Sequence, residues 1–229
     1  MKVESGKIYA VITGDIVGSS KLKPAERKEL HAALKDTSDK LAEHFKQLVP
    51  LRVDIFRGDS WQLLVIDPAQ SLRIGLFFRA FLRGKMKSTR VDTRISIGVG
   101  SIDLIPEESI SSGDGEAFRS SGEALESLSR THRMTISFPQ SLISNNRQAL
   151  DVILKLIDAL ARDWTEKQAH AVSGALLEYT QEKIARIWFE REISQQAVAQ
   201  HLDRAGWNAI EIGLNYFANS LSGITHKSD

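Results

Sequence analysis

Cysteine is absent from the chain. Disulfide staples and thiolate-bound zinc are therefore excluded, and the absence suits a reducing compartment. No run of about 18 apolar residues occurs, which argues against a membrane-spanning helix. The opening MKVESGKIYAVITGD sets Glu4 and Lys7 where a signal peptide would need unbroken apolar sequence, so a cytoplasmic protein with no membrane partner is expected. Histidine is sparse too: the six stand at 31, 44, 132, 170, 201 and 226, without the pairing of a histidine metal site. An excess of either charge is nearly lacking overall, the formal net being +1. Its distribution is uneven. Residues 1–162 hold 24 Lys and Arg against 20 Asp and Glu, whereas 163–229 hold 6 against 9. The second part is thus acidic by three, a poor balance for a surface that meets phosphate.

What is present supports a packed core. With 42% apolar residues in 229, one large or two small domains are expected. Residues 7–14 are β-branched and apolar and read as a buried strand ending at Gly14-Asp15. Leu30, Leu34, Leu41, Phe45 and Leu48 recur at helical spacing after Pro24, predicting an amphipathic helix over 25–48. LRVDIF and SWQLLVID are short strands joined by RGDS, a hairpin in which Gly58 takes the positive φ. The segment 68–84 predicts a deeply buried helix closed by Gly84. TRISIGVGSI predicts a strand whose Gly98 and Gly100 mark close backbone approach or a bulge. A helix with Phe118, Leu125 and Leu128 on one stripe and a strand at 133–138 follow. This β-α-β-β-α-β order with an added α and β predicts an α+β, ferredoxin-like domain over 1–140. A connecting helix over 141–163, apolar nearly all round at 149–161, leads into an all-α region at 164–229.

The first strand ends on Asp15, and Asp59 stands in the hairpin. In this topology the first and third strands are central neighbours, so both aspartates reach one edge of the sheet. Two carboxylates there suit Mg²⁺ or Mn²⁺, which share oxygen ligands with substrate phosphates. Backbone N–H groups around Gly18, ahead of a helix, suit an anion. Each aspartate taken alone is equally ordinary turn or cap chemistry.

The segments GDIVGSS and FRGDSW resemble the two metal-binding segments of class III nucleotide cyclases, and TRISIGVGSI resembles the strand that follows them. Across most of the chain, through YAVITGDIVGS and DGEAFRSSGEALE, the sequence resembles the SatD family of bacterial proteins. The cyclase resemblance implies metal on Asp15 and Asp59, with Ile16 as a third ligand through its carbonyl. It implies phosphate contacts from Gly18, Ser19 and Ser20, with Arg57 and Arg119 as further contacts, and a nucleoside triphosphate as the ligand. Three positions depart from the cyclase pattern. Ile55 stands where a base-reading lysine is expected, and Arg119 and Glu123 stand where Asn and Arg stabilise the transition state. A carboxylate at 123 has the wrong sign to neutralise a phosphoryl group.

The C-terminal region has the rhythm of a helix-turn-helix. Thr165 with Gln168 forms a capping box, and Thr180 and Ser194 are N-caps for the next two helices. Val198, Leu202 and Ala205 point inward, leaving Gln195, Gln196, Gln200 and Arg204 outward, groups suited to base edges of double-stranded DNA. The phrases TQEKIA and ISQQAV resemble the sigma-factor-like helix-turn-helix, although FEREI lengthens the turn. A helical dimerisation or docking module anchored by Trp188, Phe189 and Trp207 is the alternative. The expectation is a bacterial regulator, a homodimer, whose cyclase-like domain senses a nucleotide with metal and whose tail binds DNA. A Mg²⁺- or Mn²⁺-dependent nucleotide-processing enzyme with a helical oligomerisation tail is the other reading.

Overall fold

The computed structural model describes residues 3–4, 6–105, 109–129, 131–139, 147–189 and 191–222. β1 (Tyr9–Ile16) leads through α1 (Pro24–His44) to the hairpin of β2 (Asp54–Phe56) and β3 (Ser60–Val65). Then come α2 (Ser71–Lys85), β4 (Thr93–Gly100), α3 (Glu116–Ser127) and β5 (Met134–Ser137). Among the described residues five helices follow: α4 (Arg147–Arg162), α5 (Glu166–Leu176), α6 (Gln181–Arg186), α7 (Gln195–Arg204) and α8 (Trp207–Leu221). Residues 141–146 of the expected connecting helix lie outside the described residues. No helix among the described residues is long and apolar enough to cross a membrane.

The sheet order is β2-β3-β1-β4-β5, antiparallel except for the parallel β4–β5 pair. The first four strands with α1 and α2 form the expected ferredoxin-like α+β arrangement, with β1 and β3 adjacent at its centre. Alternation along β1 serves two cores. Ala10 and Ile12 join Leu30 and Leu34 of α1 and Ile74 and Phe78 of α2, while Tyr9 and Val11 face Ala117 and Phe118 of α3. Helix α3 reaches the sheet because position 98 lacks a side chain. A Cβ there would meet the Ala117 carbonyl at 2.3 Å and the Ser121 nitrogen at 2.5 Å. The glycine therefore marks close approach rather than a bulge.

Helix α1 ends four residues earlier than its apolar spacing suggests. The Leu48 and Val49 N–H groups both donate to the Phe45 carbonyl, at 2.8 and 2.7 Å. That turn buries Phe45 and Val49 together and sets Phe45 edge-on to Phe77, 5.4 Å between ring centres.

Helix α2 is the hub. It packs on the sheet, against α1 and against α5, so almost every side is covered. Two of its buried positions are arginines. Arg79 donates to both carboxylate oxygens of Asp92, at 2.7 and 2.9 Å, and to Asp158 of α4 at 2.8 Å. Asp158 is fully buried and also accepts from the Arg133 N–H at 2.8 Å. Arg83 donates to the carbonyls of Ala161 and Arg162, at 2.8 and 3.0 Å, satisfying the end of α4. Burial lowers Arg83 to about 10, which leaves it charged at neutral pH.

The helical layer begins with the expected caps. Thr165 and Gln168 form the reciprocal box, and Thr180 and Ser194 accept from Lys183 and Ala197. His170 of α5 lies 4.2 Å from Phe189 and 4.8 Å from Trp188, ring centre to ring centre. Its Nε2 is buried without a partner, and burial pushes the ring down to about 4.

These buried groups generate two tests. Arg79→Met strands the fully buried Asp158 and the partly buried Asp92 and is expected to cost about 3–5 kcal/mol in urea unfolding. The double change Arg79→Met/Asp158→Leu recovers only part, because Asp92 still lacks its cation and the Arg133 N–H loses this carboxylate acceptor. The second concerns pH. An unfolded histidine titrates near 6.5 and His170 near 4, so between those values the unfolded chain binds more protons. Stability should stay level above about 6.5 and fall towards 4, with His170 contributing at most about 3 kcal/mol. His170→Phe should flatten that fall in denaturation midpoints measured across the window.

Candidate functional site

The end of β1 is fixed by Gly14. A Cβ there would come within 2.3 Å of the Trp61 ring and 2.6 Å of the Arg94 carbonyl, so only glycine lets the strand pass. Trp61 is itself clamped, stacked on Phe78 at 3.7 Å and donating its Nε1–H to Thr93 at 2.9 Å. Asp15 comes next, opposite Ser60 on β3 and Arg94 on β4. It shares a sheet face with Thr13, which is 2.9 Å from Ser121 of α3. Arg94 holds the Asp15 carboxylate with two donors, Nε at 2.8 Å and a terminal nitrogen. That hydrogen bond and the adjacent negative charge raise Arg94 above its usual value.

The hairpin brings Asp59 to the same end of the sheet. Its carbonyl accepts from the Ile16 N–H at 3.0 Å, and its carboxylate accepts from the Ser19 hydroxyl. Gly58 has φ of 83°, as expected, but Arg57 before it is left-handed too, at 53°. A left-handed arginine costs roughly 1–2 kcal/mol, which glycine in its place would avoid. Gly18 has φ of 70° and opens a single 3-10 turn at Ser19–Lys21.

Around Asp59 lies a depression of about 470 Å³ lined by Ser19, Ser20, Arg57 and Gly58, with Arg27, Leu30 and His31 of α1. The structure thus gathers Ser19, Ser20, Arg57 and Asp59 at one place. Gly18 adjoins them in the chain, and Ile16 binds the Asp59 carbonyl through its N–H. Asp15 stands at the same sheet edge with Arg94 as its partner. Arg119 is not brought there. It lies on the first turns of α3, beyond the opposite end of the sheet, paired with Asp114 at 2.5 Å and Asp103 at 3.5 Å. Glu123 is exposed on the same helix.

Three residues at this end were not singled out from the sequence: Arg94, Arg27 and His31. Period-two counting places Arg94 on the face of Ser96 and Gly98, and pairing sets it opposite Asp15. Arg27 and His31, four apart, share one exposed face of α1.

The donors suit a hard cation: two carboxylates, a serine hydroxyl and the Ile16 carbonyl are all oxygen. No group of three or more His, Asp or Glu side chains among the described residues would cage a metal by itself. Two carboxylates meet the needs of Mg²⁺ or Mn²⁺ when phosphate oxygens and water complete the shell. Arg94 already places a cation on Asp15, which is the charge such an ion would supply.

Helix α7, packed against α5, α6 and α8, carries the residues expected to meet DNA. Gln195, Gln196, Gln200 and Arg204 are exposed, and Val198, Leu202 and Ala205 are buried. Residues 187–194 separate α6 from α7.

No family model and no curated protein matches the chain. The SatD and sigma-factor resemblances therefore rest on the quoted segments alone. Among solved structures, the chain is similar to the guanylyl cyclase Cya2, with 16% identity, 59% of this chain and 77% of that one covered, and a TM-score of 0.41. For the adenylyl cyclase CyaB from P. aeruginosa the identity is 16%, the coverage 57% and 76%, and the TM-score 0.41. For the catalytic core of a rhodopsin-guanylyl cyclase in complex with ATPalphaS the identity is 13%, the coverage 60% and 80%, and the TM-score 0.44.

Proposed function

We propose that the Asp15–Asp59 end of the sheet binds the phosphates of a nucleoside triphosphate or derived nucleotide with Mg²⁺ or Mn²⁺, and that the protein is a nucleotide-responsive regulator. The observation that carries this reading is the depression in which a carboxylate, Asp59, meets Ser19 and Ser20, Arg57, and the Arg27–His31 face of α1. A carboxylate among cations is the requirement of a metal-phosphate group: oxygen for the ion, guanidinium for the anion. The strained Arg57 supports the same reading, because left-handed residues cluster where geometry is kept for function. Asp15, Asp59 and Ile16 would hold the ion, and Gly18, Ser19, Ser20 and Arg57 the phosphates. Asp15 binds an ion only by exchanging Arg94 for it, and the released guanidinium is then available to phosphate.

The second half of the proposal is that α7 presents Gln195, Gln196, Gln200 and Arg204 to double-stranded DNA. Their common exposure supports it. The enzyme reading, a Mg²⁺- or Mn²⁺-dependent nucleotidyl or phosphoryl transferase or a nucleotide hydrolase, has Arg94 in its favour. Arg94 supplies beside Asp15 the positive charge that Arg119, held by Asp103 and Asp114, does not bring.

Calorimetric titration with each of the four nucleoside triphosphates in Mn²⁺, followed by mass spectrometry of the mixture, tests both readings. The expected result is binding of at least one nucleotide, weakened about tenfold or more by Asp15→Ala and by Asp59→Ala, with no new product. A product that disappears in both variants establishes the enzyme instead. No binding of any nucleotide overturns both. A gel-shift series over different duplex sequences in which Gln196→Ala/Gln200→Ala leaves the sequence preference unchanged removes the DNA half.

A further inference from the structure

Seven large apolar side chains are well exposed among the described residues, and five of them stand on two neighbouring helices. These are Val152, Leu156 and Leu160 on α4, and Ile212 and Tyr216 on α8. Leu156 is 61% exposed and Ile212 63%, values that a monomer rarely leaves side by side. The spacing of four makes one stripe on each helix. The helices run antiparallel in contact. A Cβ at Gly206 would meet Leu160 at 3.2 Å, and one at Gly213 would meet Ile157 at 3.1 Å and Ile153 at 3.2 Å. Turning about 100° per residue from those contacts brings both stripes to the solvent side of the same seam. The result is a single apolar ridge two helices wide.

The composition around the ridge is that of an interface. Helix α8 runs WNAIEIGLNYFANSL, and Glu211 is its only charge. Its other exposed polar positions are Asn208, Asn215 and Asn219. Solvated helices ordinarily carry Lys, Glu and Arg there, and interface centres are depleted of them. On α4 the adjoining charges cancel within the helix, Lys155 to Asp151 at 2.6 Å.

We infer that this α4–α8 ridge is the contact between two copies of the chain. Two arguments fix the occupant as a second copy. The first is charge. A two-fold contact sets one patch against a copy of itself, so a patch charged with a single sign would repel its copy, whereas a ridge with almost no charge does not. The second is area. The five side chains expose on the order of 400–500 Å² of apolar surface. That is the apolar share of about 800 Å² per partner, the standard size for a stable pair. Pairing two such ridges yields a four-helix contact of antiparallel helices. The inference stands apart from the nucleotide reading, since no residue of the sheet edge takes part.

Sedimentation equilibrium of the full chain from about 1 to 100 μM tests it. The expected mass is twice the 25.5 kDa of one chain, and Leu156→Glu/Ile212→Glu should return it to one chain with its far-UV spectrum unchanged. Leu104→Glu, an exposed apolar residue elsewhere, should remain a dimer. Because the chain has no cysteine, Leu156→Cys with a short bis-maleimide gives a second readout that does not depend on how the charged variant folds. It should cross-link to a dimer where Leu104→Cys does not. A single-chain mass at every concentration, a dimer that survives the double substitution, or equal cross-linking at 104 and 156 overturns the inference.

Discussion

A single guanidinium, that of Arg79, ties the sheet to the helices that follow it. It lies on the hub helix α2 and spans from Asp92, at the entry to β4, to Asp158 in the middle of α4. Two carboxylates share one buried cation, so neither can leave without stranding charge in the interior. Asp158 in turn accepts from the Arg133 N–H just before β5, and Arg83 one turn along holds the last carbonyls of α4. Strand β5, helix α4 and the central helix α2 are thus joined by directional bonds as well as by apolar contact. Directional bonds fix register and angle where Leu-on-Ile packing tolerates slippage, and α4 is thereby presented in one orientation.

The same chemistry, an arginine placed against an aspartate, has a different meaning at the end of β1. Arg94 and Asp15 are partly exposed there, and the pair lies on a sheet edge rather than between layers. A partly exposed ion pair strands less charge when its partners separate than a pair buried between layers does. The interior pair is therefore a fastener, and the edge pair is a group that can change partners. Asp59, Ser19 and the left-handed Arg57 provide the neighbours with which such an exchange would be made. The fold holds the backbone of this edge firmly through Gly14, Trp61 and Phe78 and leaves Asp15 and Arg94 partly exposed.

Much of this was legible in the residues. Period-two and helical spacing located the strands and helices, and the caps at Thr165, Thr180 and Ser194 are local hydrogen-bonding devices that sequence states directly. Convergence of Asp15 and Asp59 at one sheet edge followed from element order alone. Three kinds of feature were not legible. Arg79 and Arg83 sit at positions where spacing reads as uninterrupted core, because the α4 partners that bury them, Asp158 and the Ala161 carbonyl, are about 80 residues away. Arg94 becomes part of the site only once strand register sets it beside Asp15. Arg119 looked well placed by motif alignment, yet helix α3 begins at the other end of the sheet and local aspartates hold it there.

The central claim is that Asp15 exchanges Arg94 for a divalent ion when nucleotide phosphate arrives. A crystal grown with Mn²⁺ and a non-hydrolysable nucleoside triphosphate, with data collected at the manganese absorption edge, tests it most directly. The account predicts an anomalous peak bonded to Asp15 and Asp59, with Arg94 released from Asp15 and turned to phosphate. Nucleotide bound while Arg94 keeps both hydrogen bonds to Asp15, or manganese bound elsewhere on the chain, would contradict it.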